Sequence, residues 1–184
     1  MPSPSKSKGS AFERDLAKHL TKVFKENFMR VPASGAFVGQ SNAYRMDDMS
    51  DLQKRVFRGD IIPGPSLQNV KFECKSYKSF AWPKMLSGDN KQLNDWLEQS
   101  YDPLVLWFLV FKINNAGNWV AFGEKFMDSL KVSNTAVLNY KAPDPVGNVF
   151  VFKMDGFFDE NAAAITEISK DIQNEAESKS NSNT

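Results

Sequence analysis

Apolar residues recur along this chain with two periods, and the change of period marks its elements. Over residues 10–27, Phe12, Leu16, His19, Leu20, Val23 and Phe24 fall three or four apart, the spacing that lines one face of an α-helix. Over residues 70–75 the period shortens to two. Val70, Phe72 and Cys74 alternate with Lys71, Glu73 and Lys75, so a strand here points one set inward and the charged set to the opposite face. Residues 104–111 carry no polar side chain at all, which at that length predicts a strand covered on both faces. The Asn114-Asn115-Ala116-Gly117 turn returns the chain into a paired strand over 118–122, and 149–154 reads as a further strand. A short helix is expected over 89–100, with Leu93, Trp96 and Leu97 inward and Asp89 and Gln92 at capping-box spacing. Ile165, Ile168 and Ile172 mark a final helix.

The stretch 59–75 organises the rest. Gly59-Asp60-Ile61-Ile62-Pro63 precedes a turn rich in Gly, Pro, Ser and Asn, and the alternating strand follows, so the pair reads as a hairpin. Glu73 and Lys75 then stand side by side, with Asp60 at the end of the preceding strand. Two carboxylates and an ammonium on one sheet edge suit a hard divalent cation, which takes oxygen ligands, and a water beside it. The bland alternative is a half-exposed strand whose charged face is merely solvated.

Composition narrows the choices. At 184 residues, with 41% apolar and 24% charged side chains, the chain suits one globular unit with a real core. No apolar run approaches the ~20 residues of a membrane span, and residues 1–8 have no apolar segment behind them, so no secretory signal is expected. Cys74 is the one cysteine and His19 the one histidine. An intrachain disulfide and a cysteine-based zinc site are therefore excluded, and metal chemistry must use oxygen ligands. The net charge of +1 hides a division: residues 1–78 hold 14 basic and 8 acidic side chains, residues 79–184 hold 9 and 14. The basic half contains the candidate site, as expected if one face meets a polyanion; a chance segregation on a solvated surface is the alternative. Residues 1–8 read as a disordered basic arm, 9–174 as one domain and 175–184 as a disordered polar tail.

Glu13 is ambiguous. On a helical projection at ~100° per residue it falls between Leu20 and Phe24, inside the apolar arc. Ser10 and Glu13 match the capping box, in which Glu13 would bond back to the Ser10 amide; alternatively Glu13 points across the core edge at the metal site.

Four segments together carry a resemblance. Gly9-Ser10-Ala11-Phe12-Glu13-Arg14-Asp15-Leu16, then Arg30-Val31-Pro32-Ala33-Ser34-Gly35, then Gly59-Asp60-Ile61-Ile62, then Phe72-Glu73-Cys74-Lys75 are similar, in order and rough spacing over residues 9–112, to the archaeal-type Holliday-junction resolvases of the PD-(D/E)xK nuclease superfamily. The resemblance implies an α/β fold of restriction-endonuclease type, a mixed central sheet flanked by helices. It implies Glu13, Asp60, Glu73 and Lys75 as catalytic residues, the three acids as ligands of Mg²⁺ or Mn²⁺, and Arg30 and Ser34 as phosphate contacts. It also implies a DNA partner, branched or four-way, and a homodimer, because a resolvase cuts two strands related by a two-fold axis. A glutamine on the helix after E-x-K faces the site in several nuclease families; Gln92 is either such a residue or the capping-box partner of Asp89. Cys74 departs from the more aliphatic family strand, and the polar stretch between Gly35 and Arg58 is longer than expected. With Tyr44, Arg45, Lys54, Arg55 and Arg58 that stretch can contact DNA backbone, as can Lys78; an ordinary surface loop is the other reading. Two alternatives stand beside the resolvase: another endonuclease of the superfamily, in restriction, repair or phage DNA processing, and a non-catalytic DNA-binding module, against which the intact four-residue set argues. A cytoplasmic location, in the host if the chain is phage-encoded, is expected.

Overall fold

A computed structural model describes residues 4–32, 59–133 and 136–181. Its elements, in chain order, are α1 (Pro4–Phe24), β1 (Met29–Arg30), β2 (Ile61–Ile62), β3 (Val70–Tyr77), α2 (Trp82–Leu86), α3 (Lys91–Ser100), β4 (Leu106–Ile113), β5 (Gly117–Gly123), β6 (Leu138–Lys141), β7 (Asn148–Lys153) and α4 (Phe157–Asn181). The main sheet runs β3-β4-β5-β7-β6, with β3 and β4 parallel and every other pair antiparallel. The fold is mixed α/β, the class the sequence predicts.

Alternation along the strands sorts the core into two layers. Val70, Phe72 and Cys74 of β3 and Leu106, Phe108 and Val110 of β4 pack beneath α1 and α4, against Phe12, Leu16, Leu20, Phe158 and Ile165. The opposite set of β4, Trp107, Leu109, Phe111 and Ile113, packs with Leu93, Trp96 and Leu97 of α3. β4 is therefore covered on both sides, and of its eight residues only Lys112 is exposed. Phe72 is fully buried and stacks on Phe108 with centroids 5.6 Å apart, anchoring β3 directly beside Glu73.

Several sequence expectations are corrected. α1 starts at Pro4, not at residue 10, and so runs through part of the expected disordered arm; proline is well suited to a first helical position, where its missing N–H costs nothing. Ser10 is consequently a mid-helix residue and no N-cap, so the capping-box reading of Glu13 falls. α4 runs to Asn181, through most of the expected disordered tail, supported there by a Gln173 Nε2 bond to Glu177 Oε1 one turn on. The 59–75 hairpin does not form as a ladder. β2 pairs instead with β1, Arg30 opposite Ile61, because Pro63 and Pro65 have no N–H to continue a pairing toward β3, and residues Pro65–Leu67 make a 3₁₀ turn. The cap of α3 is Asn90, not Asp89: its side chain accepts from the Leu93 amide at 3.0 Å. No helix among the described residues is long and apolar enough to cross a membrane.

Candidate active site

β3 is an edge strand of the main sheet. Its even-numbered side chains enter the core, so Lys71, Glu73, Lys75 and Tyr77 share the face toward α3. Asp60 reaches the open edge of the strand. Its amide donates to the Phe72 carbonyl at 2.9 Å, its own carbonyl accepts from the Val31 amide at 2.9 Å, and its Oδ2 accepts from the Cys74 amide at 2.8 Å. The Asp60 side chain thus supplies the acceptor that a neighbouring strand would otherwise provide. Gly59 makes this close approach possible: a Cβ there would lie 2.5 Å from the Phe72 carbonyl oxygen.

Glu73 and Lys75, both half-buried, pair at 2.6 Å between Oε1 and Nζ. Burial pushes the Glu73 carboxyl above its ordinary value, the Asp60 charge adds to that, and Lys75 and Lys71 oppose it. Cys74, between them in sequence, is buried, and its thiol is pushed well up by desolvation and by the charges of Asp60, Glu73 and Glu13. All three carboxylates therefore act on one short segment of β3. On α1, Glu13 Oε2 accepts from Arg30 Nε in a largely buried ion pair.

The predicted residues meet only in part. Asp60, Glu73 and Lys75 come together on β3, and Glu13 lies within electrostatic range. Among the described residues, no three His, Cys, Asp or Glu side chains stand ready to hold a metal. Instead Glu13 pairs with Arg30 and Glu73 with Lys75, so each carboxylate has a cation beside it in place of another acid. Arg30, expected on phosphate, is held by Glu13. Lys78 is exposed just past β3. Ser34, Tyr44, Arg45, Lys54, Arg55 and Arg58 lie outside the described residues. His19 pairs with Asp159 at 3.5 Å, between α1 and α4.

Gln99 was missed. Its Oε1 accepts from Lys75 Nζ at 2.7 Å, and its backbone carbonyl accepts from Lys71 Nζ at 2.7 Å, the position at a helix C-terminus where a cation is favoured. Gln92, the glutamine singled out from sequence, lines the same cleft as Lys75 and Gln99. The two glutamines are seven residues apart, hence on one helix face, and that spacing was the signal that could have found Gln99.

The donor set suits a hard divalent cation. Asp60, Glu73 and Glu13 offer only oxygen, the one thiol is buried and held protonated, and a cation beside Asp60 and Glu73 would offset the burial and the Asp60 charge that raise the Glu73 pKa. No curated protein and no solved structure matches the chain significantly. A family described as "Phage putative PDDEXK endonuclease" matches residues 4–167, which takes in α1, the Asp60 edge, the Glu73–Lys75 pair and all of the main sheet. The chain belongs to that family of PD-(D/E)xK nucleases.

Proposed function

We propose that this protein is a divalent-metal-dependent endonuclease that hydrolyses phosphodiesters in branched phage or host DNA. The observation that carries the reading is the Asp60 carboxylate fixed on the β3 edge by the Cys74 amide, beside the Glu73–Lys75 pair. In it, Asp60 and Glu73, joined by Glu13, would hold Mg²⁺ or Mn²⁺, which would supply Lewis acidity and a hydroxide source near neutral pH. Lys75 orients the attacking water and stabilises charge building on the phosphoryl oxygens. Gln99 and Glu73 both accept from Lys75 Nζ, so the ammonium is held in place before substrate arrives and need not be ordered during the reaction. Arg30 is a phosphate contact, which it reaches by exchanging Glu13 for a DNA oxygen; that exchange would also free Glu13.

Branched DNA is the finer part of the proposal. It is supported by the four segments in register with archaeal-type resolvases, and it implies a two-fold homodimer, one site per cut strand. The test is cleavage of an end-labelled four-way junction against a linear duplex of the same sequence, with Mg²⁺, with Mn²⁺ and with chelator, alongside light scattering for the mass in solution. Paired cuts in the junction from a dimer support the reading. Equal cutting of the duplex by a monomer removes the junction and dimer while leaving the nuclease, and cutting in chelator removes the metal.

A further inference from the structure

Past Lys75, the β3 face continues to Tyr77, and a groove of about 400 Å³ opens between β3 and α3. α3 runs antiparallel to β3: Lys71 meets the Gln99 carbonyl near its C-terminus, and Tyr77 meets Trp96 closer to its N-terminus. One end of the groove is therefore Lys75, shared with the candidate active site, and the other is Lys91, the first residue of α3. Tyr77 is 45% exposed and rests on the buried Trp96, with ring centroids 4.8 Å apart. Gln92 and Asp95 line the groove between its ends.

These groups suit one kind of occupant. A phosphate chain running the length of the groove would pass the Asp95 carboxylate, which repels it. A neutral base would not be repelled: Asp95 can accept from its edge, and Gln92 can accept from it and donate to it. An aromatic ring that is supported from behind and open in front is a stacking platform for a base. In a paired duplex each base face is covered by its neighbours, so only an unstacked base can reach the ring. Lysines at both ends suit the phosphates on either side of such a base. The space is within the ordinary size range of small-ligand sites.

We infer that this groove holds one unpaired nucleotide next to the phosphate to be cut, its base on Tyr77 and its edge toward Gln92 and Asp95. The inference rests on the proposed DNA substrate and adds to it a reason for preferring branched or single-stranded ends over continuous duplex.

Binding in chelator tests it apart from cutting. A fluorescently labelled duplex and the same duplex with a single-stranded extension are titrated with wild-type protein, Tyr77→Ala and Tyr77→Phe, after melting curves have shown each variant folded. The wild type should bind the extended DNA more tightly; Tyr77→Ala should lose about tenfold on the extended DNA and nothing on the duplex; Tyr77→Phe should behave as wild type. A 2-aminopurine base in the extension should change fluorescence on binding to wild type and not to Tyr77→Ala. Equal affinity of wild type and Tyr77→Ala for the extended DNA, or an equal loss on both DNAs, overturns the groove. If discrimination through Tyr77 holds but no DNA is ever cut, the groove stands and the hydrolytic reading falls. If the protein cuts and Tyr77→Ala is indifferent, the groove alone falls.

Discussion

Glu73 is the residue on which the proposed chemistry turns, and its environment makes a stability statement as well. Burial, with the Asp60 charge second, raises its pKa, so the folded chain holds this proton more tightly than the unfolded chain does. The stabilisation that follows is complete below the ordinary glutamate range and is lost as pH rises through the raised value. Without metal, Glu73→Gln should therefore melt at or above the wild-type temperature at neutral pH and lose that advantage in acid. Adding Mg²⁺ should raise the wild-type melting temperature and leave Glu73→Gln unmoved. Melting curves with and without metal across pH decide this; a variant less stable than wild type at neutral pH would mean that the Lys75 pairing outweighs desolvation. Lys75→Met should cut turnover by about a hundredfold or more, measured as kcat at saturating DNA so that any loss of binding is kept separate. At this scale the sequence was informative where the strand period of two applied: it put Glu73 and Lys75 side by side, as they are. It could not reveal that Asp60 bonds the Cys74 amide or that Arg30 takes Glu13, because strand period and spacing do not record which side chain reaches which partner.

Among elements, the edge at Gly59 and the C-terminal turn of α3, through Gln99, position the candidate site. Gly59→Ala places a methyl against the Phe72 carbonyl, so the Asp60 segment must move from β3. A loss of stability of about 1–3 kcal/mol is expected, with turnover falling further than the folded fraction; denaturant melts and single-turnover rates on one preparation separate the two. Asn90→Ala removes the α3 cap and should cost about 1 kcal/mol, whereas Ser10→Ala, inside α1, should fall within about 0.5 kcal/mol of wild type. A loss of a full N-cap at Ser10 would move the start of α1 back to that residue. Helices and central strands were legible because their apolar spacing is long and regular. Their ends were not: α3 starts after an Asn90 cap rather than at the neighbouring Asp89, a choice made by one local hydrogen bond that periodicity does not record. β1 and β6 were missed because each is short and mostly exposed on one side, leaving little periodicity to read.

At the scale of the molecule, the apolar run over 104–111 correctly predicted a strand covered on both faces, although β4 itself runs Leu106–Ile113, two residues later, with Leu104 exposed before it. The order β5-β7-β6 was not legible, since antiparallel register depends on partners that no single segment records. The charge division between the two halves of the chain leads to one further expectation. DNA affinity should fall steeply with salt, and Arg30→Ala should flatten the dependence by about one phosphate contact; an unchanged slope would place the polyanion on another face. Binding and cutting can then be separated in a single measurement on Asp60→Asn, compared with wild type on the same labelled DNA at saturating protein with Mg²⁺. The substitution keeps the shape of the side chain and its acceptor for the Cys74 amide, but replaces the charged carboxylate of the proposed metal site with a neutral amide. Full occupancy of the DNA with cleavage lost is the result expected; cleavage by Asp60→Asn at the wild-type rate would contradict an active site built on the β3 edge.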